Sequence, residues 1–231
     1  TSSSNQEASV GYQTPRPNFF LISGVASLGV SVASFLINEA TKAIPLEASS
    51  KIEGFSPDAL QTHATLTANI ARCLFTDPME SEDAFVAGML HDIGKLVAAA
   101  KLPQLFSQAL GEAATRKEPL YVVERAKTGV THAEIGAYLL GLWGLPAPVV
   151  EAVAYHHSPA LVTPQRFGIL AAVHAANFLA HEALAKEQPG SSPPSPALLD
   201  KEYLRALGVL GHLAKWRELA TRQAKKIAVE A

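Results

Sequence analysis

Helix punctuation constrains this chain more than any other feature. Ser56-Pro57-Asp58 supplies an N-cap, a first-turn proline and an early acid ahead of the apolar-periodic run Leu60 to Phe75, which Asp77-Pro78 ends. Ser81-Glu82-Asp83 opens a second helix, whose apolar Phe85, Val86, Met89 and Leu90 recur at helical spacing and run into His91-Asp92. A third helix is expected over Pro119 to Lys127. Thr131-His132-Ala133-Glu134 has the capping-box pattern, which places His132 in the first turn of the helix that follows. That helix ends near Gly141 to Gly144. Pro146 to Pro148 begins another, with Tyr155-His156-His157 in its last turn before Ser158-Pro159, and Thr163-Pro164 opens one more through Ala183. No segment alternates as a strand does, and no internal repeat is present. The fold class that follows is all-α, a multi-helix bundle in a single globular domain with a C-terminal helical tail.

The same signals divide the chain. Residues 1–16 are polar and turn-rich and read as an extended lead-in, 17–187 as the helical domain, and the Pro/Ser-rich stretch 188–196 as a linker. Residues 197–231 read as C-terminal helices, around Leu198 to Leu207 and Gly211 to Val229, packed on the core. Their Leu207, Leu210, Leu213 and Leu219 serve that packing or, as the less common outcome, a homodimer. With 231 residues and 48% hydrophobic content, the chain has enough apolar surface for a substantial core. The 19 Lys and Arg against 21 Asp and Glu leave a net charge of −2, which creates no field to gather nucleic acid or an anionic membrane. A single cysteine, Cys73, forms no internal disulfide and fits a reducing, cytoplasmic setting. The uncharged run Phe19 to Ile37 approaches bilayer length, but its four serines and two glycines favour a buried helix over a membrane span.

Among eight histidines, His63, His91, His132, His156 and His157 fall on helix faces or at helix ends, and Asp92 adjoins one of them. Imidazole nitrogen with carboxylate oxygen suits iron, manganese, nickel or zinc, and Asp92 is the natural carboxylate to bridge two cations. Each histidine alone reads as a hydrogen-bonded core or surface residue; the set read together points to one or two divalent transition metal ions. His174, His181 and His212 keep the ordinary structural reading. Glu124 and Arg125 are expected to form a solvated ion pair more readily than to support a ligand histidine. Trp143 is expected to anchor the GLWGLP corner, and Gly94 to allow close helix packing.

The segments AGMLHDIGKLV, ERAKTGVTHAEIGAYLLGLWGLP and VVEAVAYHHSP resemble the HDOD family of the HD-domain phosphohydrolase superfamily, over about Pro17 to Lys186. Leu199 to Leu219 is similar to the tail that follows such domains in response regulators. The resemblance implies an HD-type helical bundle and, frequently, an upstream receiver domain or signalling protein as partner. It further implies that metals are held by His63, His91, Asp92, His132, His156 and His157, with Asp92 and Lys95 as the catalytic pair and Lys95 reaching a phosphate oxygen. The superfamily's closing ligand is an aspartate, and this chain has Asn177 there, in VHAANFLA; a neutral amide binds a divalent ion less tightly. The glycine-tyrosine-proline element of the related cyclic di-GMP phosphodiesterases is absent from HHSPALVTPQRFG. Two functions are thereby implied. One is a bacterial signal-transduction output domain with a His/Asp metal site; the other is a metal-dependent phosphohydrolase or phosphodiesterase acting on a phosphate-containing small molecule.

Overall fold

Helix α1, Pro57–Arg72, begins where Ser56 accepts a hydrogen bond from the Ala59 N–H at 3.2 Å, and Pro57 follows where a missing N–H costs nothing. Asp77 caps α2, Pro78–Leu90, in the same way, accepting from the Glu80 N–H at 2.9 Å. Asp77-Pro78 therefore starts a helix as well as ending a run. Ser81 lies inside α2, where its hydroxyl donates to the Arg72 carbonyl at 3.1 Å and ties the two helices at their turn. These observations come from a computed structural model that describes residues 52–163, 166–187 and 198–230. The lead-in 1–16, the run Phe19 to Ile37, the Thr163-Pro164 helix start and the linker 188–196 fall wholly or partly outside the described residues.

Two helices that carry no capping signal come next, α3 over Ile93–Lys101 and α4 over Pro103–Arg116. Neither Asp92 nor Leu102 makes a side-chain cap bond, so α3 lacks a start signature and α4 has only the first-turn Pro103. Helix α5, Leu120–Thr128, stops at Gly129, whose φ of 75° is the left-handed conformation of a helix C-terminus. The expected capping box is complete at α6, His132–Leu142: Thr131 accepts from the Glu134 N–H, and Glu134 accepts from the Thr131 N–H at 2.9 Å. Helix α7 spans Ala147–Tyr155, a short 3-10 turn covers Pro159–Leu161, and α8 spans Ile169–Glu187. Asp200 caps α9, Lys201–Ala206, and a second 3-10 turn at Leu210–His212 leads into α10, Leu213–Glu230. No strand occurs among the described residues.

The main core lies between α1, α2, α7 and α8, where Leu66, Ile70, Val149, Val173 and Leu179 are buried. Full burial of each such side chain stabilises the fold by roughly 1.5–3 kcal/mol. Helix α10 packs on α8 and α1, adding Leu213, Ala220 and Ala224 to that core. A second cluster, with Ile52, Ala98, Phe106, Leu120 and Val123, joins α3, α4 and α5. A third, Leu90, Ile93, Ala137, Leu140 and Val153, sits under the histidines. Gly94 is where α3 meets α6: a Cβ added there would stand 1.9 Å from the His132 carbonyl oxygen and 2.9 Å from the Gly136 nitrogen. Only glycine permits this crossing, which sets His132 beside Asp92 and Lys95. Trp143, expected to anchor its corner, is instead 42% exposed, and Leu145 packs into the core there. Among the described residues no helix is long and apolar enough to cross a membrane.

Candidate metal centre

Six elements converge on Asp92. His63 comes from the middle of α1, His91 closes α2, and Asp92 stands at the junction with α3, whose first turn carries Lys95. His132 is the first residue of α6, His156 closes α7 with His157 next to it, and Asn177 lies on α8. Every residue singled out as a ligand in the sequence, together with Lys95 and Asn177, is thus drawn to one place from positions as far apart as 63 and 177. His63, His91, Asp92, His132, His156 and Asn177 are all buried.

The two carboxylate oxygens of Asp92 face different histidines. Oδ1 stands 3.2 Å from His132 Nε2 and 3.8 Å from His156 Nε2. Oδ2 stands 3.3 Å from His91 Nε2, 4.0 Å from His63 Nε2 and 2.6 Å from Lys95 Nζ. Two overlapping donor groups result, one of Asp92, His132, His156 and His157 and the other of His63, His91 and Asp92, and Asp92 belongs to both. His132 Nε2 and His157 Nε2 are 2.9 Å apart. Neighbouring ligand atoms each about 2.1 Å from one cation stand about 3.0–3.4 Å apart for right-angle to tetrahedral geometry, so the two nitrogens are close enough to share one. Asn177 Oδ1 lies 2.9 Å from His63 Nε2, so the amide oxygen occupies the edge of the second group.

Backbone carbonyls fix which ring nitrogens are free. His91 Nδ1–H donates to the Gly88 carbonyl at 2.7 Å and His156 Nδ1–H to the Val153 carbonyl at 2.8 Å, so each ring turns an unprotonated Nε2 inward. His91 Nε2, His156 Nε2, Asp92 Oδ1 and His63 Nδ1 are buried without a hydrogen-bond partner. Leaving a buried polar atom unpaired costs about 1–3 kcal/mol. His156 Nε2 and Asp92 Oδ1 belong to one donor group and His91 Nε2 to the other, and unpaired lone-pair donors such as these fit cations better than they fit an apo core. Burial holds His63, His156 and His157 well below the ordinary imidazole range, so they are neutral and ligand-competent at pH 7. Burial alone would raise the Asp92 carboxyl, but the surrounding imidazoles and the Lys95 ammonium beside Oδ2 override it and hold the group well below the usual carboxylate range.

Three residues at the centre escaped the reading of the sequence as ligands. Glu124 is buried rather than solvated: its Oε2 accepts both the backbone N–H of His132 at 2.9 Å and the ring Nδ1–H at 2.6 Å. Its neighbour Arg125 is exposed and pairs with Glu134 at 2.8 Å. Tyr121, one turn earlier on α5, stacks on His157 with ring centroids 4.3 Å apart. His181, one turn beyond Asn177 on α8, lies over His63 at 4.1 Å, and burial with the nearby Lys95 charge lowers it to about 4. Position Glu124 on the buried face of α5, beside Leu120 and Val123, was the available signal. His174 has a structural role: its Nδ1–H donates to the His156 carbonyl at 2.7 Å, and its Nε2 accepts from the Asp200 N–H at 2.9 Å. His212 stacks on Trp216 in the tail, away from this centre.

The family comparison matches residues 20–159 to the HDOD domain. An uncharacterized protein of Treponema pallidum (strain Nichols) is 34% identical over 76 residues, which is 33% of this chain and 15% of that protein. The chain therefore spans less than a sixth of that curated relative. The fold is similar to that of a candidate phosphohydrolase of Shewanella amazonensis SB2B, with a TM-score of 0.57 and 22% identity, covering 88% of this chain and 73% of the other. It is also similar to an HDOD domain protein of unknown function from Geobacter sulfurreducens, with a TM-score of 0.54 and 20% identity over 77% of this chain and 61% of the other.

Proposed function

The chain belongs to the HDOD domain family, and on that premise we propose that it is a signal-transduction output domain whose His/Asp centre binds one or two divalent transition metal ions. The observation that carries the reading is the division of labour at Asp92, with each oxygen turned to its own set of histidines. His63, His91 and Asp92, with the Asn177 oxygen beside them, would hold one cation; His132, His156 and His157, with the other Asp92 oxygen, would hold a second. The amide at Asn177 contributes no charge, so the first position is the weaker of the two. Metal occupancy would tie α1, α2, α6 and α7 together, which gives an output domain a way to be rigid or loose according to what it binds. An upstream receiver domain or a separate signalling protein is the partner this role calls for.

A second reading, hydrolysis of a phosphate ester, is favoured by Lys95. Its ammonium lies 2.6 Å from Asp92 Oδ2, with its side chain 17% exposed. Bound cations would supply Lewis acidity and an acidified water. Lys95, repelled from a cation-filled centre, would then turn to an incoming phosphoryl oxygen and offset its charge, while Asp92 keeps both donor sets in register. A thermal unfolding series with manganese, zinc or nickel tests the first reading. A metal present at 100 times its dissociation constant stabilises by about 2.7 kcal/mol. No rise in midpoint with any of the three would sink it. Turnover of bis(p-nitrophenyl) phosphate by the metal-loaded protein, lost in Lys95→Ala, would establish the second; equal rates in both proteins would remove it.

A further inference from the structure

The rings at this centre are not supported alike. His91 and His156 lean on backbone carbonyls, which any sequence could supply, and His63 Nδ1 has no hydrogen-bond partner. His132 alone among them leans on a carboxylate, and Glu124 Oε2 holds it at two atoms, the backbone N–H and the ring Nδ1–H. Those two bonds fix the start of α6 and the plane of the ring together. They keep the proton on Nδ1 and turn Nε2 toward Asp92 Oδ1 and His157 Nε2. A carboxylate accepting the far N–H of an imidazole makes its other nitrogen a stronger donor and stops the ring from rotating. Helix α5, which carries Glu124, packs mainly on α4 and meets α6 more lightly, so this side chain is a principal tie between α5 and the centre.

We propose that Glu124 is a positioning residue that sets the affinity of the metal position formed with His132, His156 and His157, and that the His63/His91 position does not depend on it. The inference rests on the metal reading above. Its consequence is asymmetry: one substitution outside both donor groups separates two positions that share Asp92. Loss of such an orienting partner weakens metal binding by about 10–100-fold.

The test is calorimetric titration of cobalt(II) into metal-free wild type, Glu124→Ala and Glu124→Gln, with equivalents counted by elemental analysis and folding followed by circular dichroism. Glu124→Ala is expected to weaken one position at least about tenfold and leave the other within about threefold. Glu124→Gln, which changes volume least and keeps an acceptor oxygen, is expected to weaken the same position by less, and it carries the test if the alanine variant does not fold. In the metal-free proteins at about pH 9, the hydrogen-bonded Nδ1–H resonance, identified by its loss in His132→Gln, should be present in wild type and absent from Glu124→Ala. Folded variants that bind cobalt as wild type does, or that lose both positions equally, overturn the inference and leave the metal reading standing. A wild type that takes up no cobalt overturns the metal reading and this inference with it.

Discussion

Replacing Gly94 by alanine is the sharpest structural test of how the centre is assembled. The added Cβ would stand 1.9 Å from the His132 carbonyl oxygen, 2.7 Å from its carbon and 2.9 Å from the Gly136 nitrogen, all of them backbone atoms. A carbon–oxygen contact needs about 3.3 Å, so α3 and α6 must part by roughly 1.4 Å. No side chain can yield in their place. Overpacking of this kind costs about 1–3 kcal/mol and more where backbone must move, so we expect the upper end, about 3 kcal/mol. For a domain of this size that lowers the thermal midpoint by roughly 6–12 °C. The matched control is Gly111→Ala: Gly111 lies within α4 with nothing within 4 Å of its would-be Cβ, and alanine there should stabilise by about 0.5–1 kcal/mol. Differential scanning calorimetry of the three proteins decides the matter. A Gly94→Ala protein as stable as wild type would refute the crossing geometry, and with it the placement of His132 beside Asp92.

Acid should loosen the metal-free protein. His63 and His156 are held neutral by burial, below the ordinary value of 6.5, so the unfolded chain takes up their protons first as pH falls. Stability is then lost from about pH 6.5 downward until the folded groups titrate. His157 and His181 act in the same direction. His132 opposes them: burial lowers it, but Glu124 overrides that and raises it, so its contribution is present at low pH and lost as pH rises through its folded value. The net expectation is a lower midpoint at pH 5.5 than at pH 8, and a flat or rising profile would contradict it. Thr131→Ala removes one half of the capping box at α6. It should cost about 1 kcal/mol, a midpoint drop of roughly 2–4 °C, and an unchanged midpoint would show the cap to be redundant.

Local signals made part of this centre legible. The capping box at Thr131 placed His132 at a helix start, and the apolar run into His91-Asp92 placed that pair at a helix end, because caps and periodicity act over three or four residues. The approach of His63 to Asn177 spans 114 residues and is a product of α1 packing on α8, so only the family resemblance pointed to it. Helices α3 and α4 lack capping side chains, and α3 is only nine residues long, so Pro103 at the start of α4 was the one local start signal between them. Glu124 was misjudged because a charged residue followed by Arg125 usually faces water. Here Leu120 and Val123 turn the same face inward, and the His132 imidazole and N–H satisfy the carboxylate in a place where it could not otherwise be buried. At the GLWGLP corner Leu145 packs against the core while Trp143 stays exposed.

Elemental analysis of protein purified without chelator, on wild type and Asp92→Ala side by side, bears most directly on whether this is a metal centre. Asp92 lies in both donor groups, so its loss should empty both. Up to two equivalents of a transition metal in wild type and almost none in a folded Asp92→Ala protein is the expected pattern. Wild type free of metal after supplementation with iron, manganese, nickel and zinc, or an Asp92→Ala protein that retains its full complement, would contradict it.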